Sequence, residues 1–201
     1  MKISHSQLES ARANPSAFLK ALKDASNEYK GRYSRYNTLK LSIYHFHKTN
    51  NVTRALHYLR DAEERGFRRH GGKELAAMER QFENYVNDFY ALGSAVAQAK
   101  RKIEFPLGGD LLITGEIPRL DIVPSGGYLL CLFQKRRLPW QHELRCPLLQ
   151  HLLALEWNAP ASDVTIAMYA FEPHGYEFRQ FTKREINDAV TEALSLAKQL
   201  S

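Results

Sequence analysis

Apolar residues recur at three- and four-residue steps through the first half of this chain, and the period changes near residue 103. The first spacing is that of a helix with one buried side, the second that of strands. Ser6-Gln7-Leu8-Glu9 fits a capping box, with Ser6 as N-cap. It predicts a short helix that stops near Asn14. Asn14-Pro15 restarts the helix, with Pro15 at a first position where the missing N–H costs nothing. Phe18, Ala21 and Leu22 give that helix its apolar side. Over residues 38–63, Leu39, Ile43, Phe46, Val52, Ala55, Leu56 and Leu59 keep helical spacing, and Asn50-Asn51 divides the run into two helices. Residues 74–99 carry the strongest stripe: Leu75, Met78, Phe82, Tyr85, Val86, Phe89, Leu92 and Val96. It reads as core. Lys100-Arg101-Lys102 then complements the negative end of that helix.

Beyond it, Ile103 to Leu107 predicts a strand, Gly108-Gly109-Asp110 a turn, Leu111 to Val123 one long strand, and Tyr128 to Lys135 another. Glu143 to Leu155 returns to helix. Asp163 to Phe171 and Tyr176 to Phe181 are two further strands. Thr182-Lys183-Arg184-Glu185 is a second capping box, opening a final helix with Ile186, Val190, Ala193, Leu194 and Ala197 on its apolar side. The strand–helix–strand unit of residues 128–171 favours a mixed sheet covered by helices. The expected class is α/β (α+β): about five strands flanked by helices, with a helical N-terminal half. One domain spans 1–201, mainly helical over 1–102 and sheet-containing over 103–201.

The 201 residues suffice for one domain with a core, and 44% hydrophobic with 25% charged residues is ordinary for a globular protein. No apolar run approaches the roughly 20 residues that span a bilayer, so no membrane role is expected. The first residues lack the apolar segment of a signal peptide, which makes a cytoplasmic location the default. Cys131 and Cys146 are too few to build a zinc site or hold an iron–sulfur cluster unaided, and both read as buried free thiols. His45 and His47, two residues apart, point to different sides of a helix and read as surface residues. The net charge of +6 permits binding to a polyanion without establishing it. Tyr29 to Tyr36 interleaves basic and aromatic residues, which suits phosphate contacts with base stacking, or a solvated loop. Arg65 to Lys73 is a basic, glycine-bearing loop open to the same two readings.

Several short phrases occur in a telling order. They are Ser4-His5-Ser6-Gln7-Leu8 followed by Asn14-Pro15 and Phe18; Asn37 to Leu41; Gly115-Glu116-Ile117-Pro118-Arg119-Leu120-Asp121; Tyr128 to Gln134; and Arg145 to Leu149. Together they resemble the RecB-like branch of the PD-(D/E)XK nucleases. The resemblance implies a restriction-endonuclease-like fold. It also implies that the metal-binding aspartate falls on Pro118, the second carboxylate on Leu132 and the lysine on Gln134. The family's early histidine falls on Leu41, and Asn14 replaces the cysteine of members that hold an iron–sulfur cluster. Mg²⁺ takes hard oxygen ligands and activates water for attack on phosphate; proline and leucine offer no such ligand. A one-residue slip places Phe133 at the carboxylate and turns Lys135 to the other face.

The resemblance therefore implies a fold that no longer cuts, with no catalytic residues, metal or cofactor. The alternative is a divergent Mg²⁺- or Mn²⁺-dependent DNA nuclease using Glu116 with Asp121 or Glu143. Asp121 has the wrong strand parity unless Pro118 marks a bulge. Arg119, Lys135, Arg136, Arg137 and Arg145 are the candidate phosphate contacts, with Trp140, Tyr29, Tyr33 and Tyr36 for stacking. Lys135 to Arg137 also reads as a solvated strand end before Pro139. The implied partner is nucleic acid, DNA by the resemblance, or a protein in a DNA-processing complex of prokaryotic defence or recombination. A protein-interaction subunit that binds no nucleic acid is the third reading.

Overall fold

The computed structural model describes residues 2–25, 35–66, 72–108, 111–137, 140 and 144–200. The helical half comprises α1 (Leu8–Ala13), α2 (Pro15–Ala25), α3 (Arg35–Thr49), α4 (Val52–Gly66) and α5 (Gly72–Leu92), after a short strand β1 (Lys2–Ser4). Then come β2 (Ala95–Gln98), β3 (Arg101–Gly108), β4 (Leu111–Ile117), β5 (Arg119–Ile122), β6 (Tyr128–Arg136), α6 (Arg145–Glu156), β7 (Val164–Glu172), β8 (His174–Arg179) and α7 (Lys183–Leu200). The class is mixed α/β, as expected. The strands form two sheets instead of one: a three-stranded sheet ordered β1-β4-β3 and a five-stranded sheet ordered β2-β5-β6-β7-β8.

Pro118 separates the sheets. The expected long strand from Leu111 to Val123 is two strands, β4 in the small sheet and β5 in the large one. Proline donates no ladder hydrogen bond, so the chain changes partners there. The expected helix over 74–99 also ends early. Gly93 adopts φ +66° just past Leu92, the left-handed conformation that closes helices. Val96 then pairs with Asp121 in the antiparallel β2–β5 ladder instead of extending the helical stripe.

The β6–α6–β7 unit forms as expected, with β6 and β7 parallel and in register from Tyr128↔Val164 to Arg136↔Glu172. Strand alternation divides its side chains. Leu129, Cys131, Ala167, Tyr169 and Phe171 face α3 and α5, packing with Phe46, Phe82, Tyr85 and Phe89. Leu130, Leu132, Ile166 and Met168 face α6, packing with Cys146, Leu149 and Leu153. The other side of α6 meets the small sheet, α1 and α7 through Leu148, Leu152, Ile3, Leu8 and Ala193. α6 is thus buried on both sides. Its one buried amide, Gln150, is satisfied by the Ala161 and Phe181 carbonyls and the Phe181 N–H. Both thiols are buried and free.

Asn14 and Asn51 cap α2 and α4 by accepting from the Ala17 and Arg54 N–H groups. The Thr182–Glu185 capping box is made. The first box is displaced: Ser4 and Gln7 form it, not Ser6 and Glu9. Glu9 instead accepts from the Leu144 and Arg145 N–H groups at the start of α6, at 3.1 and 2.9 Å. A carboxylate there satisfies orphan amides and favours the positive helix end.

Candidate functional site

A cleft of about 350 Å³ opens where β4 ends, lined by Asn37, Lys40, Leu41 and Tyr44 of α3, by Lys100, and by Glu116 and Pro118. Two positions singled out in the sequence, Leu41 and Pro118, therefore meet at one place. The residues that give the cleft its charge are mostly others. Lys100 Nζ lies 3.0 Å from the Glu116 carboxylate, both side chains remaining partly exposed. Lys40 Nζ lies over the Tyr36 ring, 4.4 Å from its centre. Burial, then the charge of Arg145, lowers the Lys40 pKa, and Glu116 opposes the shift.

A part-buried chain of contacts supports this wall. His5 Nε2 lies 3.0 Å from the Glu116 carbonyl, and Arg145 Nε lies 2.9 Å from His5 Nδ1. A carbonyl only accepts and the arginine Nε only donates, so the proton sits on Nε2 and the ring is neutral. Burial first, then Arg145, lowers the His5 pKa to about 4, against the carbonyl contact that raises it. Gly115 makes room for the ring: with φ +141°, a Cβ there would lie 2.4 Å from His5 Cδ2. The sequence contained His5 in a recognised phrase but assigned it no role. Lys40 and Lys100 were also missed. Lys100 belongs to a basic run that reads as a helix end until β2 is known to intervene.

Arg119 is not a phosphate contact. It is fully buried, with its Nε 2.8 Å from the equally buried Asp121 carboxylate. It donates to the hydroxyls of Tyr85 and, at 2.7 Å, Tyr176, and its guanidinium lies 5.0 Å from the Phe89 ring centre. Ser94 donates to Asp121 at 2.9 Å, and His47 meets the Tyr85 hydroxyl at 2.6 Å. His47 is half-buried rather than at the surface as expected, and burial, then the Arg119 charge, lowers its pKa to about 3. Arg119 and Asp121 share a strand face, and their pairing removes Asp121 from Glu116.

Arg145 is half-buried, with its Nε turned to His5 Nδ1. Lys135, Arg136 and Arg137 are exposed, but Arg136 and Arg137 lie 3.9 and 3.2 Å from Glu172 and Glu177. Lys135 lines a separate small cleft with Tyr36, Gln81 and Glu172. Leu132 is a core residue packed with Leu130, Ile117 and Leu149. Gln134 Nε2 is buried without a hydrogen-bond partner among the described residues. Trp140 packs edge-on against Phe181, away from the cleft. Glu143, Tyr29, Tyr33 and most of the Arg65–Lys73 loop lie outside the described residues. Among the described residues, no three His, Cys, Asp or Glu side chains are grouped to hold a metal ion, and no helix is long and apolar enough to cross a membrane.

No family model and no curated protein matches the chain. It is similar to a solved structure described as "Crystal structure of SSO0001", at 10% identity and a TM-score of 0.37, covering 91% of this chain and 85% of that one. A likeness of that degree carries no argument about fold or function.

Proposed function

We propose that this chain binds nucleic acid without cleaving it, as a nuclease-like protein serving a DNA-processing complex. The observation that supports this reading is the cleft at Pro118. Two lysine ammoniums, Lys40 and Lys100, share it with one carboxylate, Glu116. A surplus of positive charge suits a phosphate group, whereas a divalent metal needs several convergent oxygen ligands. Tyr44 and Leu41 in the same wall offer a surface for a base or sugar. The motif order of the RecB-like nucleases supplies DNA as the polyanion. Protein partners are the other part of this proposal.

The test is fluorescence anisotropy with labelled single- and double-stranded DNA over a salt series. Binding is expected to weaken steeply with salt. The Lys40→Ala/Lys100→Ala double variant should bind about tenfold more weakly, with a log–log salt slope shallower by about 1.4–1.8 if two phosphate contacts are lost. No binding at about 50 mM salt overturns the reading, and a stoichiometric protein partner together with that result would put the protein-interaction reading in its place. Cleavage in Mn²⁺ that disappears in Glu116→Ala would establish the nuclease alternative instead.

A further inference from the structure

Glu116 stands in the cleft in an unexpected way. Its backbone is held: its carbonyl meets His5 Nε2, and it pairs with Lys102 in the β3–β4 ladder. Its side chain is nearly half exposed, at 47%, and reaches Lys100 at 3.0 Å. Its charge also acts on Lys40 across the cleft. Among the described residues lining the cleft it is the sole carboxylate. A carboxylate offers an ammonium two oxygens and a negative charge, much as one edge of a phosphate does.

We propose that Glu116 is an internal competitor for the phosphate of a bound strand: its carboxylate occupies Lys100 in the free protein and is displaced when a phosphate enters. This inference rests on the nucleic-acid reading. A partly exposed pair of this kind is weak, because water screens both charges, so its opening is a modest barrier to a ligand. The backbone need not move, because rotation about the side-chain bonds carries the carboxylate into solvent. The device lowers affinity and favours ligands with enough phosphates to overcome it, such as an extended strand over a lone anion. It also reverses the role Glu116 has in the nuclease alternative, where loss of the carboxylate abolishes function.

The test is Glu116→Gln, which keeps the size of the side chain and removes its charge. Affinity for a labelled oligonucleotide, in buffer without divalent metal, should rise by about three- to tenfold at low salt. In a Lys100→Ala background the gain should shrink, since the competed group is gone. Glu116→Ala, a second variant at this half-exposed position, should also bind more tightly. If the unaltered protein binds but neither variant binds more tightly, the inference falls and the proposed function stands. If neither the protein nor its variants bind, both fall. Binding by the variants alone supports the competitor role and shows the unaltered protein to be held off by it.

Discussion

His5 and His47 are neutral for the same reason. His5 is buried and His47 half-buried, each beside an arginine and each with a ring nitrogen in a hydrogen-bonded contact. Their folded-state pKa values, about 4 and about 3, lie below the ordinary 6.5. The unfolded chain therefore binds more protons as pH falls below 6.5. The linkage sign follows: the stability these residues allow is fully present above about pH 6.5 and declines as pH falls toward the folded values. Each histidine contributes a slope of up to about 1.4 kcal/mol per pH unit in that window. Urea unfolding at pH 7, 6 and 5 measures it, and His47→Gln should flatten the slope by about one proton. The Arg119–Asp121 pair makes a sharper prediction. Arg119→Ala leaves the buried Asp121 carboxylate without its counter-charge and two tyrosine hydroxyls without the guanidinium that donates to them, at a cost of about 3–5 kcal/mol. Arg119→Met with Asp121→Leu should recover most of that in the same measurement.

Among the elements, β4 and its continuation decide the site. Gly115, Glu116 and Pro118 act within four residues: one admits the His5 ring, one places a carboxylate beside Lys100, and one sends the chain to the second sheet. Gly115→Ala should destabilise the protein by about 2 kcal/mol or more, because a Cβ collides with His5 and φ +141° strains any L side chain. His5→Ala should relieve the collision but not the backbone strain, so only partial recovery is expected in thermal unfolding. Much at this scale was legible beforehand. The α3–α4 break at Asn50-Asn51, the β6–α6–β7 crossover and the Thr182 cap are set by neighbours in sequence. The end of α5 was not, since Val96 continues the apolar spacing and only the pairing of β2 with β5 outweighs it. Nor was β1, whose three residues become a strand through β4, more than a hundred positions away.

In the whole molecule, the five-stranded sheet separates two apolar layers, and polar contacts join what the layers keep apart. Arg119 ties β5 to α5 and β8, and Tyr169 and His174 bring β7 and β8 to Asp88 of α5 at 2.9 and 2.8 Å. Glu9 and His5 tie the N-terminus to α6 and β4. The α/β class, the helical first half and the buried thiols followed from spacing and residue type alone, because local period and hydrophobicity act over a few residues. That Pro118 and Leu132 offer no metal-ligating side chain was likewise legible from residue identity alone. Which charges face the cleft depended on the fold. Arg119 and Asp121, two apart on one strand, turn to the same buried face, while Lys40, Lys100 and Glu116 converge from distant positions. Side-chain direction is fixed by strand pairing and helix packing across the chain, and those long-range contacts brought the lysines and Glu116 to the cleft and took Arg119 into the core.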